Sequence, residues 1–225
     1  MLTGANSSNQ ALRSPVRLRG RPVAWRPVSQ LVEVEKVALG CTLCPLAEGR
    51  TQVVFGEGDP AAGLMVVGEG PGREEDLQGR PFVGRSGQLL DKLLLEEAGL
   101  ARHQVYIANV VKCRPPNNRD PLPDEIASCR PYLDQQVQLI GPAVVLTLGN
   151  FSSKTLLATN EGITRLRGRT YPFPGRPATV VVPTFHPAAA LRGGGEVVAR
   201  MRADIVRARQ ILDAAAATAG ETGEA

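Results

Sequence analysis

Four short apolar runs constrain what this chain can fold into more than anything else in it. Leu64 to Val67, Val105 to Val111, Ala143 to Leu148 and Thr179 to Val182 are rich in β-branched residues and do not alternate with polar ones. A strand with one wet face alternates. A strand that is apolar on both faces must be covered on both, which suits a buried parallel sheet. Helical periods lie between the runs. Ser86 is placed to cap a helix in which Leu89, Leu90, Leu93 and Leu94 share one face, with Gly99 ending it. A second helix is expected from about Pro123 through Tyr132 and Val137 to Gly141. A last one carries Val197, Val198, Met201, Ile205 and Leu212. Strands alternating with helices predict an α/β fold: three layers, α/β/α, around a central four-stranded parallel sheet in a single domain.

That domain is expected over residues 27–212. Residues 1–26 hold Arg13, Arg17, Arg19, Arg21 and Arg26 among prolines and read as a flexible basic arm. A disordered leader is the plain reading of it, and a DNA-tracking arm the sharper one. Residues 213–225 are mostly Ala, Thr, Gly and Glu and read as a flexible tail. With 43% hydrophobic residues the chain is globular rather than disordered. No run reaches the roughly 18 apolar residues of a membrane span, and no secretory leader is seen. A cytoplasmic monomer without a membrane partner is expected. The net charge of +4 suits a nucleic-acid partner without establishing one.

In open parallel sheets, ligands bind beyond the carboxyl ends of the strands. Three segments fall there: Gly68-Glu69-Gly70-Pro71-Gly72, Asn109 onward, and Phe185-His186-Pro187. Topology alone predicts that they meet. The glycine-rich turn lacks the Lys-Ser/Thr of a P-loop and the spacing of a dinucleotide fingerprint, so Glu69 is either an exposed acid in a turn or a site residue. Phe82, between Pro81 and Val83-Gly84, is either core or a platform for a planar base. Asn109 lies in an apolar strand, and its amide needs partners. It either ties loops together or reads a ligand carrying an adjacent acceptor and donor, as uracil does along O4 and N3–H. His186 is one of 2 histidines and is either bonded to backbone or part of the site. The other, His103, reads as a surface residue.

The chain has 4 cysteines. Cys41 and Cys44 form a C-x-x-C pair, Cys113 follows the second strand, and Cys129 lies on the helix after it. In a reducing compartment such a set points to a metal site rather than disulfides. The spacing suits a cubane iron–sulfur cluster, with a closed zinc site or unmetallated thiols as alternatives.

Together these segments resemble the family 4 uracil-DNA glycosylases, the iron–sulfur branch of their superfamily. The matching text runs from Gly68 to Asp76, from Gly79 to Asp91, from Asn109 to Asp120 and from His186 to Ala188, within a similarity covering about residues 30 to 212. The resemblance implies hydrolysis of the N-glycosidic bond of flipped-out deoxyuridine in single- or double-stranded DNA, releasing uracil and leaving an abasic site. It implies that Cys41, Cys44, Cys113 and Cys129 hold a [4Fe-4S] cluster. Phe82 would stack on uracil, Asn109 would read its edge, and His186 would contact O2. Glu75 would crowd the place of a thymine methyl. Glu69 and Gly70 belong to the first motif, and Glu69, Asn109 and His186 are the catalytic candidates. Two positions depart from the family pattern: Gly70 replaces an Ala, and Ala190 stands where a Leu is usual, with Leu191 next. The residue that wedges into the DNA is therefore left open among Ala190, Leu191 and Arg192. A binding module that does not cut, and an electron carrier using the cluster, are the rival classes.

Overall fold

The computed structural model describes residues 25–221, so Arg13, Arg17, Arg19 and Arg21 of the basic arm lie outside it. In chain order the elements are α1 (Trp25–Leu39), α2 (Leu46–Gly49), β1 (Glu57–Gly58), β2 (Leu64–Gly68), α3 (Arg73–Gln78), α4 (Arg85–Ala98), β3 (Tyr106–Asn109), α5 (Pro123–Ile140), β4 (Val144–Leu148), α6 (Gly149–Leu157), α7 (Ile163–Leu166), β5 (Tyr171–Phe173), β6 (Arg176–Thr184), α8 (Pro187–Gly193) and α9 (Gly195–Glu221). The segment read as a tail is thus helical from residue 213 to Glu221.

The sheet has six strands in the order β1-β3-β2-β4-β6-β5. Its centre, β3-β2-β4-β6, is parallel and contains the four apolar runs. The expected four-stranded sheet is therefore extended by two antiparallel edge strands, β1 against β3 and β5 against β6. Neither edge could be read from apolar pattern. β1 is Glu57-Gly58, and β5 carries Pro172, a residue tolerated in sheets mainly at edges.

Alternation within β2 shows why both faces had to be apolar. Leu64 and Val66 pack with Leu90, Leu93 and Leu94 of α4 and with Met201 and Ile205 of α9. Met65 and Val67 face the opposite layer, with Leu31 of α1, Leu133 and Val137 of α5 and Leu156 of α6. Three layers result, as expected. α4 ends at Gly99, whose φ of 64° is the left-handed cap that glycine adopts freely. Its start differs from expectation: Gly84 is the N-cap with no side-chain bond, and Ser86 lies inside the helix. α5 begins with Pro123, and the Glu125 carboxylate accepts the Leu122 N–H at 2.8 Å. Among the described residues no helix is long and apolar enough to cross a membrane.

Candidate active site

β2, β3 and β6 deliver their C-terminal residues to one cleft of about 920 Å³, near the top of the range for small-molecule sites. Glu69, Gly70, Glu75, Phe82, Asn109 and His186 all line it, so the three segments converge as topology required.

Gly68 is the floor. A Cβ there would sit 2.4 Å from Asn109 Oδ1 and 2.5 Å from Phe82 Cζ. Only a residue without a side chain lets the amide and the ring close over one spot. Asn109 is 1% exposed, and its Oδ1 is buried without a hydrogen-bond partner. Buried acceptors are nearly always paired, and an unpaired one costs about 1–3 kcal/mol. The Phe82 ring lies beside it, 5.8 Å from the His186 ring between centroids and tilted by 35°. Phe82 itself has a φ of 51°, an uncommon backbone for a bulky residue.

Glu75 lines the cleft and also holds a neighbouring loop. Its Oε1 accepts the N–H groups of Val83 and Gly84, each at 3.0 Å, and so braces the loop that carries Phe82. His186 accepts the Ala188 N–H on Nδ1 at 3.1 Å. In the neutral ring this leaves the proton on Nε2. Burial pulls His186 down to about 4, the Arg192 charge adds to the effect and Glu75 opposes it, so the ring is neutral at pH 7. Burial, helped by the nearby Asp120 charge, pushes the Glu69 carboxyl up to about 7. Gly70 leaves room that Val111 fills: a Cβ at position 70 would lie 2.8 Å from Val111 Cγ2.

Of the three wedge candidates, Ala190 is 3% exposed and packed in the core beside α4 and α9. It cannot reach DNA. Leu191 is 50% exposed and, like Arg192, lines the cleft.

The four cysteines meet on the flank of the sheet. Cys41, Cys44, Cys113 and Cys129 line one recess with Ala38, Ala47 and Tyr132. The Lys112 N–H donates to Cys129 Sγ at 3.2 Å, and Arg50 Nη1 reaches Cys113 Sγ at 3.5 Å. Among the described residues no group of three or more His, Cys, Asp or Glu side chains could hold a metal ion. The observations that bear on a larger group are the shared recess and the donors aimed at two of its sulfurs. Thiolates that ligate a cluster take such bonds, whereas free thiols accept only weakly.

Comparison with known proteins decides the family. The model of the uracil DNA glycosylase superfamily matches residues 55–210. The chain belongs to that superfamily. It is 47% identical to the type-4 uracil-DNA glycosylase of Sulfurisphaera tokodaii over 73% of this chain and 77% of that one. It is 45% identical to the type-4 enzyme of Thermotoga maritima over 76% of this chain and 89% of the relative. A type-5 uracil-DNA glycosylase of Thermus thermophilus is 30% identical over 60% of this chain.

Sequence motifs named the cleft residues of this superfamily member but missed what holds them. Arg102, Gly87 and Lys112 have structural roles that no local pattern announces. Arg102 binds the carbonyls of Pro81 and Phe82. Gly87 leaves space for the Phe82 carbonyl, and Lys112 is a wholly buried lysine. Gly87 and Lys112 both stand in the matching segments, so their positions are legible in the sequence and their packing is not.

Proposed function

We propose that the chain is a uracil-DNA glycosylase that hydrolyses the N-glycosidic bond of deoxyuridine flipped out of DNA. One observation carries the reading: the unpaired, buried Oδ1 of Asn109 beside the Phe82 ring. It is an acceptor waiting for a donor at the edge of a flat ring. Uracil supplies N3–H there. Cytosine presents the reverse pattern, an N4–H2 donor beside a bare N3, so an amide held with Oδ1 toward N3 meets a second acceptor there and disfavours it.

The target bond is hidden in a duplex, so the nucleotide must be extruded, at a cost of a few kcal/mol that is least at a mismatch such as U·G. Leu191, half-exposed on the cleft wall, would fill the vacated stack, and Arg85 and Arg192, which line the same cleft, would meet phosphates. Phe82 stacks on the base, and Glu75 closes the side where a thymine methyl would go. As the bond breaks, negative charge grows on uracil and positive charge on the sugar. The neutral His186 ring donates from Nε2 to O2, with backbone N–H groups near Gly70 assisting, as in an oxyanion hole. Water attacks C1′. Glu69, as carboxylate, orients it and stabilises the cationic sugar.

Cys41, Cys44, Cys113 and Cys129, which line one recess, would hold a [4Fe-4S] cluster, and bound there it would tie α1, the β3 exit and α5 together without entering the reaction. The protein acts as a monomer in the cytoplasm, where thiols stay reduced.

The deciding experiment uses a labelled duplex with one U·G pair, beside T·A and C·G duplexes. Alkali-labile breaks at uracil alone are expected. Intact uracil strands after incubation with brown, cluster-loaded protein would hand the fold to a non-cutting binder or an electron carrier.

A further inference from the structure

The strained backbone at Phe82 asks what holds it. A bulky residue at a φ of 51° persists only where its surroundings over-determine it. Three supports are in place. Glu75 takes the N–H groups that follow Phe82. Gly87 allows the Phe82 carbonyl to come so near that a Cβ there would lie 1.7 Å from its oxygen. The third support comes from outside the cleft. Arg102 Nη1 donates to the Phe82 carbonyl at 3.2 Å, and Nη2 donates to the Pro81 carbonyl.

We propose that Arg102 is a positioning residue: its guanidinium clamps the Pro81 and Phe82 carbonyls and so fixes the left-handed turn that aims the Phe82 ring over Gly68 beside Asn109. The inference rests on the stacking role given to Phe82 above. Arg102 does not line the cleft, so it acts on the base only through Phe82. Its own direction is fixed in turn. Nη1 also donates to Asp91 Oδ1 at 3.2 Å, and Nη2 to Glu57 Oε2 at 3.3 Å. Arg80 binds the same Glu57 carboxylate, with Nη2 2.6 Å from Oε1. Each terminal nitrogen serves one carbonyl and one carboxylate, and four such acceptors need a planar fork with several donors. A lysine ammonium, as a single point of charge, cannot span them. Without the clamp the turn relaxes toward ordinary φ. Only the fraction of molecules still holding the ring in place binds the base, and apparent affinity falls with that fraction.

The test is a double-mutant cycle. Arg102→Ala is expected to lower kcat/KM on a U·G duplex by about 10- to 100-fold. It should weaken inhibition by free uracil by a similar factor, because the stack serves product and substrate alike. In a Phe82→Ala background, Arg102→Ala should have no further effect on either quantity. Arg102→Lys should recover little. Asp91→Asn, which loosens the guanidinium without removing it, should give a smaller loss that also vanishes in the Phe82→Ala background, and it serves if Arg102→Ala fails to fold. Additive losses would overturn the inference alone and leave the glycosylase reading intact. A Phe82→Ala enzyme with undiminished cleavage would overturn the stacking role and this inference with it.

Discussion

Asn109 and Lys112 lie three residues apart on the segment leaving β3, each 1% exposed, and the protein treats them in opposite ways. The Asn109 side chain has a buried oxygen with no partner. Lys112 is paired twice over: Nζ donates to the Asn109 carbonyl at 2.8 Å and to Gln136 Oε1 at 2.6 Å. Gln136 passes the chain on to the Phe55 carbonyl at 2.9 Å and the Tyr106 hydroxyl at 3.2 Å. One group lines the cleft with its oxygen unpaired, as the proposed uracil reading requires. The other belongs to the scaffold between the cysteine recess and the cleft, and every bond it makes is internal. Burial alone does not separate function from framework; an unpaired buried atom that also lines the cleft is what sets Asn109 apart, since Arg176 Nε is likewise unpaired but lies away from it.

The contrast gives predictions of decreasing size. Lys112→Met should strike the scaffold. It leaves Gln136 Oε1 and the Asn109 carbonyl short of a donor, at a cost of about 3 kcal/mol, or roughly 6–12 °C in melting temperature. A thermal melt within a degree of the parent would break the contrast. Asn109→Ala should do the reverse. Uracil cleavage falls roughly 100-fold while the melting temperature holds or rises, because an orphaned acceptor is gone. Equal loss of stability in both variants would mean that Asn109 is framework too.

Leu191→Ala sharpens the cleft itself. Cleavage of a U·G duplex should fall about tenfold and cleavage of single-stranded uracil DNA should not, since only the duplex has a stack to fill. A matching loss on both substrates would remove the wedge role.

The smallest effect is in pH. Glu69 is pushed up to about 7, and the proposed mechanism uses its carboxylate, which is the form present above its pKa. Single-turnover cleavage should therefore rise several-fold as pH climbs from 6 to 8 and level off above. His186, held down at about 4, stays neutral throughout that window and adds no step of its own. Glu69→Gln should flatten the profile, and a persistent rise near pH 7 in that variant would assign the step to another group.

The sequence by itself determined the parallel centre of the sheet, the covering helices and which residues stand at the strand ends. Doubly apolar runs and helical periods are local records of burial, and β2, β3, β4 and β6 follow them. Cleft membership of Glu69, Asn109 and His186 followed from topology, since strand ends of a parallel sheet must meet. Tertiary structure alone decided the rest. The edge strand Glu57-Gly58 has no apolar signature and exists because β3 offers it a free edge. Ala190 and Leu191 are adjacent in sequence, and only the packing of α8 sends one into the core and the other into the cleft. Arg102 finds the carbonyls of Pro81 and Phe82 across a whole helix of intervening chain. Apolar burial leaves a period that can be read along the chain. Polar pairing depends on partners brought from elsewhere, and it leaves none.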